Sequence, residues 1–154
     1  MREIKFKAWC YKTNMMYYHI DEIHWLLGGE VIRANSVISE ISEHRMSNEY
    51  TGEQNFKLLQ YIGIKDINKH PIYERDICVA TLPGPIKILA SIDYDNESAS
   101  FQLFYKTHDN ESASIPIDSE IILEIVGNIY ESDIKLLKKA YNREFNIDDI
   151  LQSD

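Results

Sequence analysis

The chain has 154 residues, 44% hydrophobic and 27% charged, proportions that fit a folded globular protein and exclude a disordered or collagen-like one. Its 25 acidic residues against 16 Lys plus Arg give a net charge of −9, which argues against a protein whose main affinity comes from neutralising nucleic-acid phosphates. A chain of this length buries about 68–70% of its unfolded surface and needs neither metal nor disulfide framework to fold. Cys10 and Cys78 have no CxxC spacing and are expected as packed, reduced thiols, a single bridge being the alternative. The opening MREIKFKAWC lacks the apolar segment of a signal peptide, and no apolar run approaches the roughly 20 residues that span a bilayer. A cytoplasmic protein without membrane association is expected. In that compartment the sequons at Asn96 and Asn110 carry no meaning.

Ten tyrosines and many β-branched residues favour sheet. Residues 2–10 alternate, with Ile4, Phe6, Ala8 and Cys10 on one face and Lys5, Lys7 and Trp9 on the other, as in a half-buried strand. Lys12-Thr13-Asn14 reads as a turn into a strand over 15–20. Residues 22–27 suit a strand or a short helix ended by Gly28-Gly29, and 31–41 suit a strand. The stretch 42–55 is almost wholly polar and reads as a loop or linker, because it lacks the apolar area to offset its ordering entropy. Strands are expected over 56–64, 77–82, 86–94, 100–105 and 121–129. The pair around Asp95-Asn96-Glu97 forms a hairpin, and Gly127 marks a bulge or a close approach. Ser132 is expected to cap a helix, with Asp133 at its positive end and Lys138, Lys139 and Arg143 in its last turns. Ile134, Leu137, Tyr141 and Phe145 form its apolar stripe, and 148–154 reads as a frayed turn.

The expected class is mainly β (α+β): an N-terminal β-rich part over 1–41, the polar linker 42–55, and a second part over 56–154 closed by the helix. The six letters Asp-Asn-Glu-Ser-Ala-Ser occur at 95–100 and again at 109–114. Two copies are too few for a solenoid, so they are expected to be one turn sequence used at two strand entrances.

Tyr61-Ile62-Gly63-Ile64-Lys65-Asp66 followed by Ile72-Tyr73-Glu74-Arg75-Asp76-Ile77 resembles the central motif of the YopX family. The opening run from Arg2 to Trp9 and the closing Val126-Gly127-Asn128-Ile129-Tyr130-Glu131 resemble that family too, in the same order. Its members are encoded by bacteriophages and prophages and carry no established biochemical role. The resemblance implies a β-rich fold whose later half is an SH3-like barrel, and it transfers no catalytic residue. The chain departs from the family at Cys10, where Asp is common, and at Arg75, where glycine is usual. If that glycine serves a positive-φ position, Arg75 must either adopt a costly conformation or sit in a reshaped turn.

The motif residues Tyr61, Gly63, Asp66, Tyr73, Asp76, Gly127 and Tyr130 are expected to be structural. Asp66 and Asn68 can bond their own backbone in a turn, Asp76 can accept N–H groups at a strand entrance, and Tyr61, Tyr73 and Ile77 can pack together.

His19, Asp21, Glu22 and His24 are the densest set of ligand-type side chains, but a strand divides them between two faces, so no metal site is expected. Asp93-Tyr94-Asp95-Asn96-Glu97 fails as a calcium loop, lacking its glycine and carrying Phe104 where the bidentate Glu belongs. No phosphate loop, dinucleotide fingerprint or nucleophile elbow is present, and no catalytic residue or cofactor is expected. The expected function is a non-catalytic phage accessory protein that binds a host or phage protein, or itself as a homo-oligomer. The alternative is association with nucleic acid, through a single-strand face at Lys5, Lys7, Trp9 and Lys12 or through acidic mimicry of DNA.

Overall fold

β-Branched and aromatic runs pair into sheets in the computed structural model of the chain, which describes residues 1–25, 31–39, 42–47, 55–84, 86–107 and 109–145. The described residues form β1 (Phe6–Cys10), β2 (Met15–Tyr17), β3 (Ile20–Trp25), β4 (Val31–Ser39), β5 (Ser42–Ser47), β6 (Phe56–Lys65), β7 (Pro71–Tyr73), β8 (Asp76–Leu82), β9 (Ile86–Asp95), β10 (Ser100–Lys106), β11 (Ser112–Pro116), β12 (Ile122–Asn128) and α1 (Ile134–Phe145). The mainly β class with a C-terminal helix is as expected. Gly28-Gly29 and the frayed turn proposed for 148–154 lie outside the described residues. No helix among those described is long and apolar enough to cross a membrane.

Two units meet between Tyr61 and Ile62, inside β6 and not in the polar stretch. In the first unit β1 lies between β2 and the first half of β6, with Ala8 opposite Tyr17 and Leu58. A second sheet runs β3-β4-β5. Ala8, Cys10, Ala34, Met46 and Phe56 form this unit's core, with Tyr17, Ile20 and Leu58 against it.

Two expectations for this unit are overturned. Residues 42–47 are a strand and not a linker: β5 pairs antiparallel with β4, and Met46, opposite Ala34, is 2% exposed. One buried methionine suffices because the ladder to β4 satisfies the backbone, which composition alone does not reveal. β1 is not half-buried, since Lys7 is 4% and Trp9 7% exposed. Lys7 sits opposite Leu59 with Nζ 5.9 Å from the Tyr18 ring centre, so its stem packs while the ammonium meets an aromatic face.

The second unit is built on an antiparallel sheet in the order β11-β10-β9-β8-β12. Both faces of its centre are covered, which explains the unbroken apolar run Ile77-Cys78-Val79-Ala80 in β8. On one face Cys78, Ala80, Ile88, Ala90, Ile92, Leu103 and Leu123 pack with Ile62 and Ile72. On the other, Ile77, Val79 and Leu89 receive Ile134, Leu137 and Tyr141 of α1, three of the four residues of the predicted stripe. The cap is Asp133 and not Ser132: Asp133 Oδ1 accepts the N–H groups of Lys135 at 2.9 Å and Leu136 at 3.2 Å, while the Ser132 hydroxyl is turned back to the N–H of Asn128.

Both copies of the hexapeptide turn the chain into a strand, β10 and β11, as expected, though the strand starts earlier in the second. At 95–100 it is the predicted hairpin turn, with Asp95 Oδ2 accepting from Ser98 N at 2.9 Å and Ala99 at φ 52°. In the second copy Asn110 takes φ 63° and Ser112-Ala113-Ser114 already belong to β11.

Candidate functional site

The family-motif carboxylates work on backbone. Asp66 is 6% exposed and closes the turn after β6, with Oδ1 accepting from Asn68 N at 2.9 Å and His70 N at 2.8 Å. Its Oδ2 accepts from Ile125 N of β12 at 3.1 Å. Burial pushes the Asp66 pKa up, but the three backbone donors and the nearby His70 outweigh it and hold the carboxyl below its usual value. Asp76, 3% exposed, takes the N–H of Tyr73 at 2.8 Å and tightens the turn between β7 and β8. Gly63 occupies φ 97°, open only to glycine at low cost. Tyr61 and Tyr73 are buried, and Lys5 Nζ stands 4.4 Å from the centre of the Tyr61 ring. Ile77 packs beneath α1.

The junction between β12 and α1 turns on Asn128, which motif reading left without a role. Its Oδ1 accepts from Tyr130 N at 3.0 Å and Glu131 N at 2.9 Å, and its Nδ2 donates to Glu131 Oε2 at 2.9 Å. Gly127 lies where β12 slips register against β8, and a Cβ there would overlap the Ser132 side chain. Both expectations for this glycine, bulge and close approach, hold together.

Arg75 adopts φ 65°, so of the two alternatives left by the missing glycine the chain takes the costly left-handed conformation. Three contacts hold it there: its N–H donates to Ile92 O at 2.7 Å, its carbonyl accepts from Ile129 N at 3.0 Å, and its Nε lies 2.9 Å from Asp93 Oδ2. The motif residues of the second unit therefore fix three turns around one sheet.

The clusters weighed for chemistry stay apart. Glu22 meets His24 at 3.0 Å and accepts from Asn35 Nδ2 at 2.7 Å, and no group of three or more His, Cys, Asp or Glu placed to hold a metal occurs among the described residues. On the face drawn from Lys5 to Lys12, Lys7 and Trp9 are buried, which leaves Tyr11, 41% exposed, as its accessible aromatic ring.

What motif reading missed is a groove beside α1. Ile77, Leu89, Phe104, Ile129 and Ile134 give it an apolar lining, Ser112 of β11 borders it, and Lys106 and Lys138 supply its cations, around about 340 Å³ of space. Lys106 Nζ lies 2.8 Å from Ser112 Oγ. Such a space, apolar with a few convergent polar groups, has the character of a ligand or partner site. Phe104 lies opposite Ser91 and Ser91 opposite Ile77, so the pairing of β8, β9 and β10 brings these side chains to one face.

Comparison with known proteins agrees with this architecture. The family model for YopX protein matches residues 5–138. The crystal structure of protein yopX from Bacillus subtilis is similar at a TM-score of 0.55 and 13% identity, over 86% of this chain and 96% of that one. Protein EF1440 from Enterococcus faecalis is similar at a TM-score of 0.53 and 18% identity, over 85% of this chain and 96% of that one. No curated protein is similar to this chain. At such identities the structures show a shared fold, and the family match covers well over half of the sequence: the chain belongs to the YopX family.

Proposed function

We propose that this chain is a non-catalytic accessory protein of a bacteriophage or prophage, acting in the cytoplasm of the bacterial host by binding another protein through the groove beside α1. The observation that carries the reading is the groove itself, an apolar recess of about 340 Å³ bordered by two lysines and by β11, the last strand of its sheet. The five antiparallel strands of the second unit support reading it as an SH3-like barrel. A single-strand-binding role has less support, because Lys7 and Trp9 of its proposed face are buried.

The test is capture from host lysate by tagged wild-type chain and by Ser112→Trp, each with and without nuclease. Ser112 is exposed on β11, so the indole fills the groove without entering the core. A defined protein retained after nuclease and lost with Ser112→Trp is expected. Equal capture by both proteins would remove the groove from the function, and capture abolished by nuclease would replace protein binding with nucleic-acid association.

A further inference from the structure

We propose that the occupant of this groove is an extended peptide segment, apolar with a single carboxylate, that adds along β11 as a further strand of the sheet; this rests on the protein-binding reading above. The two edges of the sheet are treated differently. At β12 the turn after β6 occupies the outer side: Ile67 N donates to Leu123 O at 2.9 Å, and Asp66 Oδ2 takes the N–H of Ile125. At the opposite edge β11 is terminal, with β10 its neighbour among the described strands. A strand laid along such an edge gains main-chain hydrogen bonds and sends alternate side chains to the two faces of the sheet. On the face of Phe104 and Lys106 those side chains meet the mouth of the groove at Ser112.

Charge selects the peptide. In a chain of net charge −9, the groove is bordered by Lys138 of α1, with Lys135 and Lys139 elsewhere on the same helix, and Lys106 adds a cation across it. This basic locus favours an anionic partner. Asp109 and Glu111, in the loop leading into β11, oppose a polyacidic run, so one carboxylate among apolar residues fits best. A second copy of the chain is the poorer occupant: β11 has only 5 residues and ends at Pro116, and two copies at −9 repel.

The experiment is selection of random nonapeptides displayed on a surface against the immobilised full chain, followed by titration of the enriched peptides and amide NMR mapping. Enriched peptides should alternate apolar residues around one Asp or Glu and shift the amides of β11 and of residues 134–138. The double variant Lys106→Glu/Lys138→Glu should weaken them by at least about tenfold. Peptides that map elsewhere, or that ignore the charge reversal, would overturn this inference while leaving a protein-binding role standing. Absence of any enriched peptide would likewise overturn this inference, the protein-binding reading being decided by the lysate capture. Concentration-dependent shifts of β11 amides without peptide would give the edge to a second copy.

Discussion

The Asp66 carboxylate accepts the N–H of Ile125, 59 residues further along the chain, at 3.1 Å, joining the turn after β6 to the edge strand β12. Together with Asp76 and Asn128 it makes the motif segments a set of backbone acceptors around one sheet.

Asp66→Ala should destabilise the fold by about 2–3 kcal/mol in urea unfolding, because it removes the acceptor of the Asn68, His70 and Ile125 N–H groups. The folded pKa of Asp66 is depressed below 3.8, so its contribution is present above that value and lost as pH falls through the folded pKa. Wild-type stability should therefore fall more steeply than that of Asp66→Asn below about pH 4. Parallel acid limbs would remove the charge from the explanation.

Arg75 holds φ 65° at a cost of about 1–2 kcal/mol for a side chain bearing Cβ. Its ion pair with Asp93 is partly exposed and returns at most about 1 kcal/mol. Arg75→Gly should thus raise the unfolding midpoint slightly, and Asp93→Asn should lower it by no more than a few tenths of a kcal/mol. A clear loss of stability in Arg75→Gly would mean that the side chain does more than pair with Asp93.

Gly127→Ala should cost about 1–3 kcal/mol through overlap with Ser132. In a Ser132→Gly background, where the obstructing atoms are gone, the same substitution should cost much less. Equal costs in the two backgrounds would place the constraint in the bulge and not in the contact.

Burial, aided by the Asp76 charge, pushes the Cys78 thiol up to about 12. At pH 8 only about one thiol in 10⁴ is ionised, so Cys78 should resist aromatic disulfide reagents until the chain unfolds. Rapid labelling of the native protein at Cys78 would contradict its place in the core.

The sequence is legible wherever one residue type answers one local need. Gly127 at the bulge, the Asp95 turn and the Ile134, Leu137 and Tyr141 stripe were all readable, and so was the strained position of Arg75 once glycine was expected there. It misleads where tertiary partners decide. Polar β5 is a strand because β4 supplies its ladder, and Lys7 and Trp9 are buried because both faces of β1 are covered. The groove was invisible because its walls come from β8, β9, β10, β11 and α1, far apart in sequence.

The most direct measurement takes Ser112→Trp and Asp66→Asn side by side, recording for each the urea midpoint and the capture of a nuclease-resistant partner from host lysate. Ser112→Trp should keep the wild-type midpoint and lose the partner, while Asp66→Asn should lose stability and, while folded, keep it. A Ser112→Trp protein that captures normally, or an Asp66→Asn protein that is stable yet captures nothing, would move function out of the groove and onto the motif turns.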